Sequence, residues 1–183
     1  MTTDKASTLR RIVTGINENG KSIVALDGPP DPVMEFNAGT GLYEIWTTLE
    51  GALDRRSSDF DTGPLRLCPP TGGVKIRWST IGPTSTGTVT PAEALKFYDS
   101  AFAAIGAHGD RPDTTRHPGM HLTHTIDFIV IIEGKVRLIL DEDERLLGPG
   151  DVVVQRGTNH AWVCESETPA LFVAILIDKD FAA

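Results

Sequence analysis

Three of the chain's five histidines fall in one stretch, HPGMHLTHTIDFIVIIEG, which runs from His117 to Gly134. A neutral imidazole offers a nitrogen lone pair near pH 7, so such a group can ligate a metal ion or pass a proton. Asp127 adds a carboxylate a few residues on. Side chains in a strand alternate between two faces, and that alternation sorts these groups. His121, Thr123, Thr125 and Asp127 share one face, followed by Ile129 and Ile131. Met120, Leu122, His124, Ile126, Phe128, Val130 and Ile132 share the other. The first face begins polar and ends apolar, which suits a barrel with chemistry at its mouth and packing at its floor. His124 falls on the apolar face and reads as a core or interface residue. Only a bulge would turn it inward as a substitute ligand. His117, ahead of a proline, reads as exposed loop.

The elements that must position these groups are mostly strands. RRIVTGINENGKSIVALDG reads as a hairpin turning at Asn17 to Gly20, and GLYEIWTTL and GVKIRWSTIG are further strands. Between them EGALDRRSSDFDTGPLRLCPPTGG, rich in Gly, Pro, Ser and Asp, reads as a long loop. TPAEALKFYDSAFAAIG predicts a helix over 91–105: Thr90 and Glu93 form a capping box, Pro91 takes the first position, and Gly106 follows the last turn. Its stripe of Leu95, Tyr98, Phe102 and Ile105 requires an apolar surface to lie against, with a brace and a lid over the cavity both open as roles. Downstream, KVRLIL, RLLGPGDVVVQ, HAWVCE and PALFVAILID follow as strands joined by short turns at DEDE and RGTN. Short strands at this spacing predict an all-β sandwich or barrel.

Composition narrows the function. A 183-residue chain with 40% hydrophobic and 23% charged residues is that of an ordinary globular protein. A net charge of −8, with no basic cluster, argues against nucleic acid or an anionic membrane as partner. MTTDKASTLRR lacks an apolar signal core and no apolar run is long enough to span a bilayer, so a cytoplasmic location is expected. Cys68 and Cys164 lie far apart without metal-type spacing and are expected to be free thiols.

GPGDVVVQRGTNHAW, with its Gly-Asp, three valines, glycine-containing turn and histidine, resembles the second conserved motif of the cupin superfamily, and HLTHTIDFIVIIEG is similar to the first. The motifs span 119–134 and 148–162. The resemblance implies one cupin domain over 1–183: a jelly-roll-like β-barrel over 74–183 with one capping helix, and N-terminal strands over 1–50 that join the barrel or exchange with a partner. In metal-binding cupins the first motif supplies two histidines and a glutamate and the second a third histidine. Carried over, those positions hold His121, Thr123, Asp127 and His160. A threonine hydroxyl is a poor ligand for a transition ion, so the set reduces to two histidines and a carboxylate, which matches a facial triad for a divalent ion such as Fe, Mn, Ni or Zn. Without a metal, His121 and His160 would be pocket histidines that bond substrate or backbone, and Asp127 would pair with Arg77 or Arg137.

Thr123, Thr125, Trp162 and Arg156 are the candidate substrate-binding residues. Trp162 alternates onto the same face as His160, and Arg156 could grip a carboxylate with its guanidinium fork or simply be a solvated turn residue. The implied activity is that of a small-molecule-metabolising enzyme, with decarboxylation, dehydration, isomerisation and dioxygenation all open; a small-molecule-binding cupin without metal or catalysis is the alternative. The apolar outer face from Leu122 to Ile132 is more than one short helix can cover, so a homodimer is expected, with N-terminal strands extending the partner's sheet.

Overall fold

A computed structural model describes residues 8–37, 39–48, 54–56, 63–83 and 90–181. Its strands are β1 (Arg11–Ile16), β2 (Ser22–Gly28), β3 (Val33–Asn37), β4 (Thr40–Thr47), β5 (Val74–Ile81), β6 (Thr125–Glu133), β7 (Val136–Leu140), β8 (Glu144–Leu147), β9 (Val152–Arg156), β10 (His160–Cys164) and β11 (Ala170–Asp178), with helix α1 at Pro91–Ala104. All the strand pairings are antiparallel. They form a six-stranded sheet in the order β3-β4-β5-β11-β6-β9, a three-stranded sheet β10-β7-β8, and the hairpin β1-β2. Among the described residues the architecture is all-β with one long helix, as the sequence predicts.

Alternation dictates how the two larger sheets close on each other. Ile129 and Ile131 of β6, Val136 of β7, Cys164 of β10, and Phe172, Ala174 and Leu176 of β11 form one buried cluster drawn from both sheets, with Trp162 packed against it. Gly134 turns β6 into β7 at φ 78, and a Cβ there would meet Ala170 at 3.0 Å, so the tight turn over the core requires glycine. The opposite face of β6 looks outward. Phe128 and Ile132, with Val152 and Val154 on the neighbouring β9, remain exposed among the described residues.

Three boundaries differ from the sequence expectation. The strand of the first histidine stretch begins at Thr125, and His121 pairs instead through an isolated bridge. RLLGPGDVVVQ divides into β8 and β9, because Gly150 takes φ 94 between them. β3 was not anticipated: VMEFN is a short run whose partner, β4, supplies the pairing. Much of the long loop falls outside the described residues.

Helix α1 has the expected ends. The Thr90 side chain accepts from the Glu93 N–H and the Glu93 carboxylate accepts from the Thr90 N–H, a pairing worth about 1 kcal/mol. Phe102 and Ile105 pack with Leu65 and Ala107, and Tyr98 joins them, but Leu95 is 41% exposed and drops out of the predicted stripe. The helix therefore lies over the segment around Leu65 and Leu67 rather than on the outer face of β6. Arg111 holds it there: its guanidinium bonds Asp99 and the Pro118 carbonyl and sits 5.1 Å from the centre of the Phe102 ring.

Candidate functional site

His121 and His160 stand directly opposite each other. The bridge between them has both backbone hydrogen bonds, each 2.9 Å, and the rings lie 4.3 Å apart at 45°. Each ring is also fixed locally. His121 Nδ1 lies 3.0 Å from the Gly119 carbonyl and His160 Nδ1 lies 2.8 Å from the Thr158 carbonyl. A carbonyl can only accept, so both Nδ1 atoms carry the proton and both Nε2 atoms keep the lone pair. The turn before β10 is equally constrained: Gly157 takes φ 58, Gln155 Nε2 donates to the Thr158 carbonyl at 3.0 Å, and Asn159 Nδ2 donates to the Asp113 carbonyl and to Asp141 Oδ1, both at 2.9 Å.

Both imidazoles are held neutral. Burial pushes His121 down to about 4, against the pull of the Gly119 carbonyl. Burial also takes His160 well below its ordinary value, and the neighbouring His121 adds to the effect. The Phe102 ring of α1 lies 4.8 Å from His121, and Trp162 continues the file 5.5 Å beyond His160 with Phe172 a further 5.9 Å on. Trp162 thus shares the face of His160, as alternation predicts.

Asp127 does not join the histidines. It is 3% exposed, burial pushes its carboxyl up to about 6, and the Thr125 hydroxyl and Arg77 oppose that rise. Thr123 and Thr125 are buried beside it, with the Thr125 hydroxyl donating to Thr123 at 2.7 Å. Of the two proposed arginine partners, Arg77 is near enough for its charge to act on Asp127 but forms no ion pair with it. Arg137 is on the surface with Glu144 and Glu165.

Arg77 belongs to a second cluster that the sequence reading did not assemble. Lys75 and Arg77 alternate with Ile76 and Trp78 along β5, so both charged side chains turn inward with Ser79. Glu44 of β4 meets them: Arg77 Nε lies 3.1 Å from Glu44 Oε1 and Lys75 Nζ lies 3.4 Å from Oε2. Arg77 Nη2 donates to the carbonyls of Arg66 and Leu67 at 2.7 and 2.6 Å. The signal in the sequence was the charge at every second position of GVKIRWSTIG with apolar residues between. Cys68 lies close to Arg77, Lys75 and Asp127, and burial raises its thiol to about 11.

The other candidates fall outside the interior. Arg156 is exposed, because Gln155 takes the inward position at the end of β9, in line with the solvated-turn reading of this residue. His124 is exposed and alternates away from Thr123 and Thr125, so it is neither the buried outer-face residue nor a substitute ligand. The expected metal set is not assembled either. Among the described residues no three His, Cys, Asp or Glu side chains gather closely enough to hold a metal ion, since Asp127 stays with Arg77 and Cys68 while the histidines face each other. The residues as arranged do not fit the three-ligand site.

Residues 110–176, from the turn after α1 to the end of β11, match the family model described as "Cupin domain". This stretch is a cupin domain. The chain is also similar to fungal proteins, two of them named for biosynthesis clusters and one named a cupin-domain-containing oxidoreductase. It is 52% identical over 50 residues to the phomopsin biosynthesis cluster protein C' of Diaporthe leptostromiformis, covering 27% of this chain and 26% of that one. It is 48% identical over 67 residues to the oryzines biosynthesis cluster protein J of Aspergillus oryzae, covering 32% and 37%. It is 51% identical over 45 residues to the cupin-domain-containing oxidoreductase srdD of Neurospora crassa, covering 24% and 23%. The matched stretches span about a quarter to a third of these relatives' own length. Among the described residues, no helix is long and apolar enough to cross a membrane.

Proposed function

We propose that this cupin metabolises a small organic molecule and that His121 and His160 carry proton transfer to or from it. The observation that supports the reading is the pair of neutral imidazoles, each with Nδ1–H bound to a carbonyl and Nε2 left as a base, with the Phe102 ring 4.8 Å from His121. A base held deprotonated and oriented by a backbone acceptor is the arrangement general base catalysis needs. Asp127, with its carboxyl raised to about 6, is a further group able to exchange a proton near neutral pH. The relatives, two named for biosynthesis clusters and a third named an oxidoreductase, agree with small-molecule metabolism as the broader class. No step is assigned to a metal, because among the described residues the histidine pair has no third ligand beside it.

The test is solvent-hydrogen exchange. The protein is incubated in D2O with a panel of small organic acids, aldehydes and ketones, and loss of carbon-bound hydrogen is followed by proton NMR. At least one compound is expected to exchange, and His121→Gln and His160→Gln are each expected to abolish it while leaving the fold intact. Saturable binding without exchange in the wild type would favour the alternative, a cupin that binds a small molecule without turning it over.

A further inference from the structure

The outer face of the six-stranded sheet is apolar across its width and covered at only one edge. Strand register carries a row of side chains over it, with Tyr43, Trp78, Val173, Val130 and Val152 side by side from β4 to β9. The next row runs from Ile76 through Ile175 and Phe128 to Val154. Their chain neighbours Arg77, Ala174, Ile129 and Val153 turn inward, so both rows face out, and neither contains a charge. Exposure rises along the first row: Tyr43 is 1% exposed, Trp78, Val173 and Val130 are partly buried, and Val152 is 57% exposed. Phe128 and Val154 lie exposed at the same end of the second row.

The β1–β2 hairpin presents a second apolar surface. Among the described residues its strands pair only with each other. Arg11 ties the hairpin to the covered edge of the sheet, its Nη1 donating to the carbonyls of Asp31 and of Ile45 in β4 at 2.8 and 3.3 Å. Thr14 pairs with Val24, so Ile12 and Val24 share one side of the hairpin, and they are 55% and 58% exposed. Two strands alone are marginal in water until something covers their apolar side.

We propose that a second copy of this chain covers this face, so that the β1–β2 hairpin of each protomer lies across the β6–β9 face of its partner. Symmetry supplies the match: a two-fold axis lying in the interface along the strands sets the β4 edge of each copy, with its hairpin, opposite the bare β9 edge of the other. Area supports the same occupant. Four strands with about three outward residues each give the bare face a flat footprint of about 400 Å², and the hairpin side adds about 200 Å². A monomer tolerates either alone, but side-chain relief raises their sum toward the roughly 800 Å² that each member of a stable pair contributes. The uncharged rows offer nothing to a charged partner, and a net charge of −8 repels an anionic membrane. The contact is side chain on side chain, and differs from the edge extension expected from the sequence.

Sedimentation velocity of the full chain at micromolar concentration tests the proposal, with circular dichroism to check that each variant folds. The wild type is expected to sediment as a dimer. Val154→Glu on the sheet and Val24→Lys on the hairpin are each expected to weaken self-association at least about a hundredfold, because the symmetric pair buries the new charge twice. Leu146→Lys, at an equally exposed apolar position on the other sheet, is expected to leave the dimer unchanged. The decisive measurement mixes the two weakened variants: Lys on the hairpin of one then meets Glu on the sheet of the other, and dimers are expected to return. A wild type that stays monomeric overturns the proposal, and its cosedimentation with phosphatidylcholine vesicles would give the face to a lipid surface instead. Dimers that survive Val154→Glu, or that are lost equally in Leu146→Lys, also overturn it. So does a mixture of folded variants that fails to pair, since hairpin and sheet would then not meet.

Discussion

The histidine pair and the Arg77 cluster share one barrel and are both largely withheld from water, yet their bonding is complete to different degrees. His121 and His160 take their partners from carbonyls two residues away in their own chain segments, and their backbones hold each other through the bridge. Arg77, Glu44 and Lys75 take theirs from β4, β5 and the segment around Arg66, and Nε and Nη1 of Arg77 are still without a hydrogen-bond partner. A neutral ring needs one local acceptor to be stable in the interior, whereas a buried charge needs neighbours from several elements. The first site is thus built by local sequence and the second by the tertiary fold.

Mutagenesis should expose that difference. Arg77→Ala is expected to have the largest effect, a loss of about 3–5 kcal/mol in urea unfolding, because it leaves Glu44 buried with only Lys75 beside it. Adding Glu44→Gln should deepen the loss, because Lys75 then loses its carboxylate; recovery instead would mean that the charge of Glu44, and not the lost carbonyl bonds, sets the cost of Arg77→Ala. His160→Ala is expected to cost less, about 1–3 kcal/mol, since Gln155 also donates to the Thr158 carbonyl and no charge is stranded. Equal losses in the two variants would erase the contrast.

The smallest effect is expected in the pH dependence, where the two sites act in opposite directions. The folded value of His121 is lowered, so its contribution is present above its ordinary 6.5 and is lost as pH falls toward 4, with His160 acting the same way. The folded value of Asp127 is raised, so its contribution is complete below 3.8 and is lost as pH rises through about 6. Between pH 4 and 6.5 the carboxylate therefore offsets part of the histidines' acid sensitivity. Asp127→Asn should make the fall in stability steeper across that window, as followed by thermal unfolding at stepped pH. A shallower fall would show that Asp127 is ionised in the fold well below pH 6.

The contrast also explains what the sequence disclosed. Alternation correctly put Thr123, Thr125, Asp127, Ile129 and Ile131 on one inner face and the motif spacing brought His121 to His160, because both depend on period and local register. It put His124 on the opposite face as well, but the expected burial failed, because the strand begins only at Thr125 and leaves His124 exposed. It also missed Glu44 with Lys75 and Arg77, whose partnership depends on β4 lying beside β5 across a long intervening loop. Nothing in the spacing of those charges encodes that adjacency.

The file of rings from Phe102 to Phe172 has an optical consequence. Trp162 lies edge-on to His160 at 5.5 Å, and the other two tryptophans, Trp46 and Trp78, belong to different strands, β4 and β5. With those two changed to phenylalanine, the indole that remains sits next to the imidazole whose charge state matters. An imidazolium draws off excited-state electron density from indole far better than a neutral imidazole does. The emission of that variant would therefore report protonation in the barrel directly, with no dye and before any substrate is known.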